Sequence, residues 1–265
     1  MKYVLSIAVL LLVGCGTQEE RDAENALHTG EEAYRDGRFS EAAESYAKAA
    51  FDPRVGYDLG NALYRQQLWD TAVSAFTNAS DALPNGPLKA DALHNLGNGW
   101  MERSSYADSL SAAMGKKAAG IRIEGDDIGM KVRQVVMRDS MQRAVQQLEH
   151  LVDSALAQSA SAYKSSLRLA PTDDDTRHNL ALALYKIAAR EKAANEKNGG
   201  KNDEDKELSE RAKEIMAQAD ALVEQYKFQE ALKVMQDGLK EDPTLKNKQE
   251  YMDKLNVVNT AAAAT

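Results

Sequence analysis

The stretch at residues 57–79, YDLGNALYRQQLWDTAVSAFTNA, constrains the fold more than any other part of the chain. Leu59, Gly60 and Leu63 fall on one face of a first helix and Ala72, Phe76 and Ala79 on one face of a second, at the spacing of amphipathic helices. Gln66-Gln67-Leu68 is the turn between them. Gly60, Ala72 and Ala79 carry almost no side chain, so the two backbones can approach closely there while Leu59, Leu63, Trp69 and Phe76 fill the surrounding space. One such hairpin cannot bury its own apolar face, so it needs neighbours of the same kind.

The neighbours are present. In GEEAYRDGRFSEAAESYAKAAFDP, corresponding places are taken by Gly30, Tyr34, Gly37, Phe39, Ala42, Tyr46, Ala49 and Pro53. Further on, Leu96, Gly97, Trp100 and Tyr106 follow the same order in LHNLGNGWMERSSYADSL. Tyr163, Leu167 and Pro171 read as a second helix ending at a proline, and Asn179, Leu180, Ala183 and Tyr185 open another first helix. Phe228, Ala231, Met235 and Pro243 close a last, weaker copy. The pattern resembles the tetratricopeptide repeat (TPR), which implies an all-α fold: a TPR-like α-solenoid of antiparallel helix hairpins. Leu96 and Leu180 are 84 residues apart, so a period of 34 leaves about 50 extra residues inside the third repeat.

The most unusual part of that excess, residues 117–155, is read as a long helical insertion. Gly120, Gly125 and Gly129 interrupt its start, and then no glycine or proline occurs from Met130 to Ala170. Met137, Met141, Ala144, Leu148, Leu151 and Ala155 form a narrow seam suited to one partner helix, either the chain's own or that of a docking protein. Seven basic and four acidic residues lie between Lys116 and Arg143, a local positive excess in a chain of net charge −8. That net charge argues against nucleic-acid binding.

The chain begins MKYVLSIAVLLLVGCG. Lys2 and an apolar run too short to span a bilayer match a secretory signal over residues 1–14. Leu12-Val13-Gly14-Cys15 resembles a bacterial lipobox, which implies cleavage before Cys15 and lipid on its sulfur. Cys15 is the sole cysteine, so no disulfide or thiolate metal site competes for it. The resemblance implies a cell-envelope lipoprotein, with Gly16 after the cysteine pointing to the outer membrane facing the periplasm; Gln18-Glu19-Glu20 leaves surface exposure open. Residues 15–22 read as a tether, 23–193 as the repeat array with its insertion and 194–207 as a charged flexible linker. Residues 208–258 read as a C-terminal hairpin with a capping helix, and 259–265 as a frayed tail.

In TPR arrays the first helices of successive repeats line a groove. Aligned to the repeat, the partner-binding candidates are Tyr34, Tyr57, Asn61, Tyr64, Arg65, His94, Asn98, Met101, His178 and Tyr185. Asn61 and Asn98 are equivalent, and a side-chain amide both donates to and accepts from an extended peptide backbone. Tyr34, Tyr64 and Tyr185 are equivalent too and suggest an aromatic strip with polar tips. The lysine cluster with which chaperone-binding TPRs clamp a terminal carboxylate is missing. The same residues also suit a plain structural role as consensus filling.

Catalytic chemistry finds little footing. His28, His94, His150 and His178 lie far apart, and no HExxH, GxSxG or glycine-rich phosphate loop occurs. Glu149, His150 and Asp153 sit on a helix that would face water. The expectation is a non-enzyme with no cofactor and no metal. The stretches LGNALYRQQLWDTAVSAF, HNLGNGWM and LRLAPTDDDTRHNLALALY are similar to the TPR proteins of Bat-type aerotolerance operons. That resemblance implies a scaffold binding envelope proteins, among them von Willebrand factor A domain membrane proteins. Alternatives are an adaptor for envelope proteases or peptidoglycan hydrolases, or a glycan-binding lipoprotein; Trp69 and Trp100 sit at packing positions, which weakens the last.

Overall fold

The computed structural model describes residues 18–198 and 208–263. They form an all-α row of antiparallel hairpins: α1 (Gln18–Arg35) with α2 (Phe39–Ala47), α3 (Pro53–Arg65) with α4 (Trp69–Ala82), and α5 (Pro87–Gly120) with α6 (Ile128–Leu169). Then come α7 (Asp174–Asn198), α8 (Glu210–Glu224), α9 (Phe228–Glu241), a short 3-10 turn at Pro243–Asn247, and α10 (Gln249–Ala262). The second helix of each hairpin packs on the first helix of the next: α2 on α3, α4 on α5 and α6 on α7. This is the TPR-like solenoid.

Local chemistry sets the ends. Asp52 accepts the backbone N–H of Arg54 at the start of α3, with Pro53 at the first helical position, where its missing N–H costs nothing. One turn serves three hairpins. Gly37, Gln67 and Tyr226 each adopt left-handed backbone, with φ of 77°, 61° and 59°. The following N–H groups, of Arg38, Leu68 and Lys227, reach back to the carbonyls of Ala33, Leu63 and Leu222 at 2.8, 3.1 and 2.8 Å. Only Gly37 is the residue that adopts this conformation without strain.

Three glycine–aromatic contacts hold the hairpins closed. A Cβ on Gly30 would lie 2.5 Å from the Tyr46 ring, on Gly60 2.5 Å from Phe76, and on Gly97 2.4 Å from Tyr163. Glycine and ring are 16 residues apart in the first two hairpins and 66 in the third, so 50 residues lengthen the third. They extend both of its helices. At Arg103-Ser104-Ser105, where the repeat would turn, α5 continues for more than four further turns and α6 returns antiparallel to it. Tyr106, which follows Trp100 in the repeat pattern, is 63% exposed on this arm.

Of the seam read on α6, Leu148 and Leu151 pack in one cluster with Ala107 of α5, whereas Met137 is exposed. Ala107, Ser111, Gly115 and Ala118 give α5 a flank of small residues, onto which Val145, Leu148 and Val152 of α6 close. Ser159 and Ser166, both fully buried, donate to the carbonyls of Gly97 and Ala90 at 2.9 and 2.8 Å and tie the base of the hairpin.

At the C-terminal end, α8, α9 and α10 share one core with Ala181 of α7, built on Ile215, Phe228, Met235, Tyr251 and Val258. Helix α10 is interposed between α7 and α9 instead of lying outside the last hairpin as a cap. It runs to Ala262, and Ala261 and Ala262 are buried, which corrects the expectation of a frayed tail from residue 259. Of the expected linker, the end of α7 takes the first part, and 199–207 lie outside the described residues.

Candidate functional site

All the candidate partner-binding residues lie on first helices: Tyr34 on α1; Tyr57, Asn61, Tyr64 and Arg65 on α3; His94, Asn98 and Met101 on α5; His178 and Tyr185 on α7. Cys15 lies outside the described residues.

Asparagine amides run from hairpin to hairpin. Asn95 Nδ2 donates to Asn61 Oδ1 at 2.8 Å and approaches the Tyr57 hydroxyl at 3.3 Å. Asn98 Nδ2 reaches Asn95 Oδ1 at 3.5 Å. Asn98 Oδ1 in turn accepts from the Tyr163 hydroxyl at 2.7 Å and from Asn179 Nδ2 at 3.0 Å. The row Asn61, Asn95, Asn98, Asn179 thus crosses α3, α5 and α7, all four half-buried. Asn95 and Asn179 were not among the expected site residues. Their signal was present in the twice-used tripeptide His-Asn-Leu at 94–96 and 178–180.

Beside this row, His94 Nδ1 lies 2.5 Å from Thr176 Oγ1, and Thr176 donates its hydroxyl proton to Asp173 at 2.7 Å. A carboxylate can only accept, so Thr176 accepts from His94 Nδ1–H, which leaves Nε2 of the neutral ring as an acceptor. Burial pulls the His94 pKa down against the opposing pull of Asp173, Asp175 and Asp91. The arrangement offers no activated nucleophile, because the threonine proton is held by Asp173 and not by the imidazole. His94, Asp175, His178, Asn179 and Tyr226 line a cavity of about 430 Å³ between α5, α7 and the α8–α9 turn. Among the described residues no three His, Cys, Asp or Glu side chains are grouped to hold a metal ion.

The tyrosines do not form the single strip expected. Tyr34 and Tyr64 are equivalent, each set edge-on against the first aromatic of its own second helix, Phe39 at 5.3 Å and Trp69 at 5.1 Å. Arg65 stacks over Phe39 at 4.5 Å. Tyr185 is engaged elsewhere: its hydroxyl donates to Asp220 of α8 at 2.7 Å and accepts from Lys254 of α10 at 2.7 Å, while Lys254 also pairs with Asp220. The C-terminal helices fold back over that end of α7 and withdraw the ring. Met101 is likewise turned into the core, against the clusters around Tyr163 and Leu156. His178 donates from Nδ1 to the Asp174 carbonyl at 2.7 Å and lies against Tyr226 and Phe228.

Asp58 adds a half-buried carboxyl one turn from Asn61. Burial, with Glu31 and Asp52 nearby, pushes its carboxyl up to about 6. Glu149, His150 and Asp153 are exposed, as expected, and border a cleft of about 490 Å³ between α6 and α7. There Arg190 pairs with Asp153 and Asp108 and donates to the Glu149 carbonyl, joining both helices of the arm to α7.

No family model matches the sequence, and no curated protein does. Among solved structures the chain is similar to the TPR2AB domain of yeast Sti1 in its pHSP90 complex, at 17% identity over 92% of this chain and 99% of that one, with a TM-score of 0.30. The fold rests on the chain's own helix pairing and not on that likeness.

Proposed function

We propose that this chain is a non-enzymatic scaffold of the cell envelope that holds an extended segment of a partner protein along the α3–α5–α7 face. The observation that carries the reading is the asparagine row. Amides on three successive first helices are fixed in register by one another, and the side-chain carbonyl of Asn179 accepts no bond among the described residues. Pre-positioned amides beside half-buried tyrosines suit a peptide backbone, which needs both donors and acceptors every few ångströms. Replacing Asn61 and Asn98 together by alanine should abolish partner capture in envelope extracts while the chain stays folded. Undiminished capture by a folded double variant would contradict the reading.

Anchoring through lipid on Cys15 is part of the proposal and rests on the lipobox resemblance. Among the described residues no helix is long and apolar enough to cross a membrane. Cys15→Ala should move the protein from the membrane to the soluble periplasmic fraction, and unchanged membrane association would end that part. The resemblance to proteins of Bat-type operons makes von Willebrand factor A domain membrane proteins the first partners to test.

A further inference from the structure

The outer half of the α5–α6 arm carries an apolar surface that nothing among the described residues covers. Ile128, Val132 and Val136 succeed one another at intervals of four on α6 and are 76%, 55% and 56% exposed. Residues four apart stand side by side on a helix, so these three make a stripe about 12 Å long. Val132 and Val136 are β-branched, as is Ile128, so their χ1 angles are nearly fixed before any contact is made. Lys131 and Arg133 stand on its two sides, about 100° of helix turn from its centre. The stripe lies on a different side of α6 from the Leu148 and Leu151 that pack with Ala107 of α5.

Its surroundings are basic. From Ile128 to Arg138, α6 contains Lys131, Arg133 and Arg138 and no acidic residue, and Lys116 and Lys117 end α5 close by in the hairpin. Lys116, Lys117, Lys131 and Arg133 have no ion-pair partner among the described residues, although acidic residues outnumber basic ones in the chain by eight. We propose that this arm is a docking site for an amphipathic helix of a protein partner, with an apolar stripe flanked by glutamate or aspartate. The four-residue spacing matches another helix, and the unpaired cations select acidic flanks. Two arms of this chain would repel, since both are basic. A bilayer met end-on would first meet Glu124, Asp126 and Asp127 at the apex, which anionic headgroups disfavour.

The test uses the full chain and a synthetic helical peptide of about five turns, with leucines at i, i+4, i+7, i+11 and glutamates on the flanks, read by fluorescence anisotropy. A second peptide carries lysine in place of glutamate. The glutamate peptide should bind and the lysine peptide should not. Val132→Ser with Val136→Ser should weaken binding at least about tenfold, as should Lys131→Glu with Arg133→Glu, and the charge-reversed variant should gain affinity for the lysine peptide. All four sites are exposed, so circular dichroism should show both variants folded. Equal binding of the two peptides would overturn the proposal, as would affinities that neither variant changes. Binding to phosphatidylglycerol-containing vesicles with no binding of the glutamate peptide would also overturn it, in favour of a lipid surface.

Discussion

Gly97→Ala should weaken the protein, although the same change in an unconstrained helix strengthens it. A helical alanine gains about 1 kcal/mol over glycine. At position 97, however, the new methyl would sit 2.4 Å from Cε1 and 2.5 Å from Cδ1 of Tyr163, where about 3.5–4 Å is needed. Tyr163 cannot simply retreat: its side chain is almost fully buried and its hydroxyl is held by Asn98 at 2.7 Å. Overpacking of this severity costs about 3 kcal/mol, so the net loss is about 2 kcal/mol, or about 4–8 °C in melting temperature for a chain of this size. Gly120, which ends α5 and has nothing within 4 Å of its would-be Cβ, is the control. Thermal unfolding followed by far-UV circular dichroism should show Gly97→Ala falling and Gly120→Ala unchanged. In a Tyr163→Leu background the cost of Gly97→Ala should largely vanish, because the clashing ring is gone. If Gly97→Ala and Gly120→Ala shift the melting temperature equally, the argument that α5 and α6 close on this contact is refuted.

Asp58→Asn should stabilise the protein above about pH 6 and lose that advantage below about pH 4. The folded chain keeps the Asp58 proton up to about 6 whereas the unfolded chain gives it up near the ordinary carboxylate value, so ionised Asp58 opposes folding at neutral pH. Because the carboxyl is partly solvated the gain is only about 1 kcal/mol, measurable as a pH-dependent difference between the two melting curves. Arg190→Gln should change global stability by less than about 1 kcal/mol, since its partners are more than half exposed. Amide exchange should nevertheless rise at residues 104–112 and 146–154, where the guanidinium joins the base of the arm to α7.

Much of the fold was legible because its determinants are local. Small residues facing rings within 16 positions reveal a hairpin, and the turn at Gln66-Gln67-Leu68 follows from where the apolar face changes. The third hairpin was legible only in part. Tyr106 stands at a plausible offset from Trp100, but what closes a hairpin is the ring that meets its glycine, and for Gly97 that ring arrives from Tyr163, 66 residues on. An amphipathic seam on α6 announces that something covers it without naming the cover, which for Leu148 and Leu151 is α5. At the candidate site, alignment places Asn61 and Asn98 but passes over Asn95 and Asn179, because the aligned position in α3, before Leu59, carries Asp58 instead of asparagine. Tyr185 occupies the aligned position of Tyr64, yet the fold-back of α8 and α10 from far along the chain decides its environment.

The central claim is that the face built by α3, α5 and α7, and not the outer face, holds the partner. Site-specific photo-crosslinking in intact cells tests it most directly, with the photoreactive residue placed in turn at Tyr57 and Tyr64 on that face and at Ser74 and Asp81, exposed on α4. The account predicts discrete crosslinked products from the two tyrosine positions and none from α4. Crosslinks from α4 with none from Tyr57 or Tyr64 would contradict it.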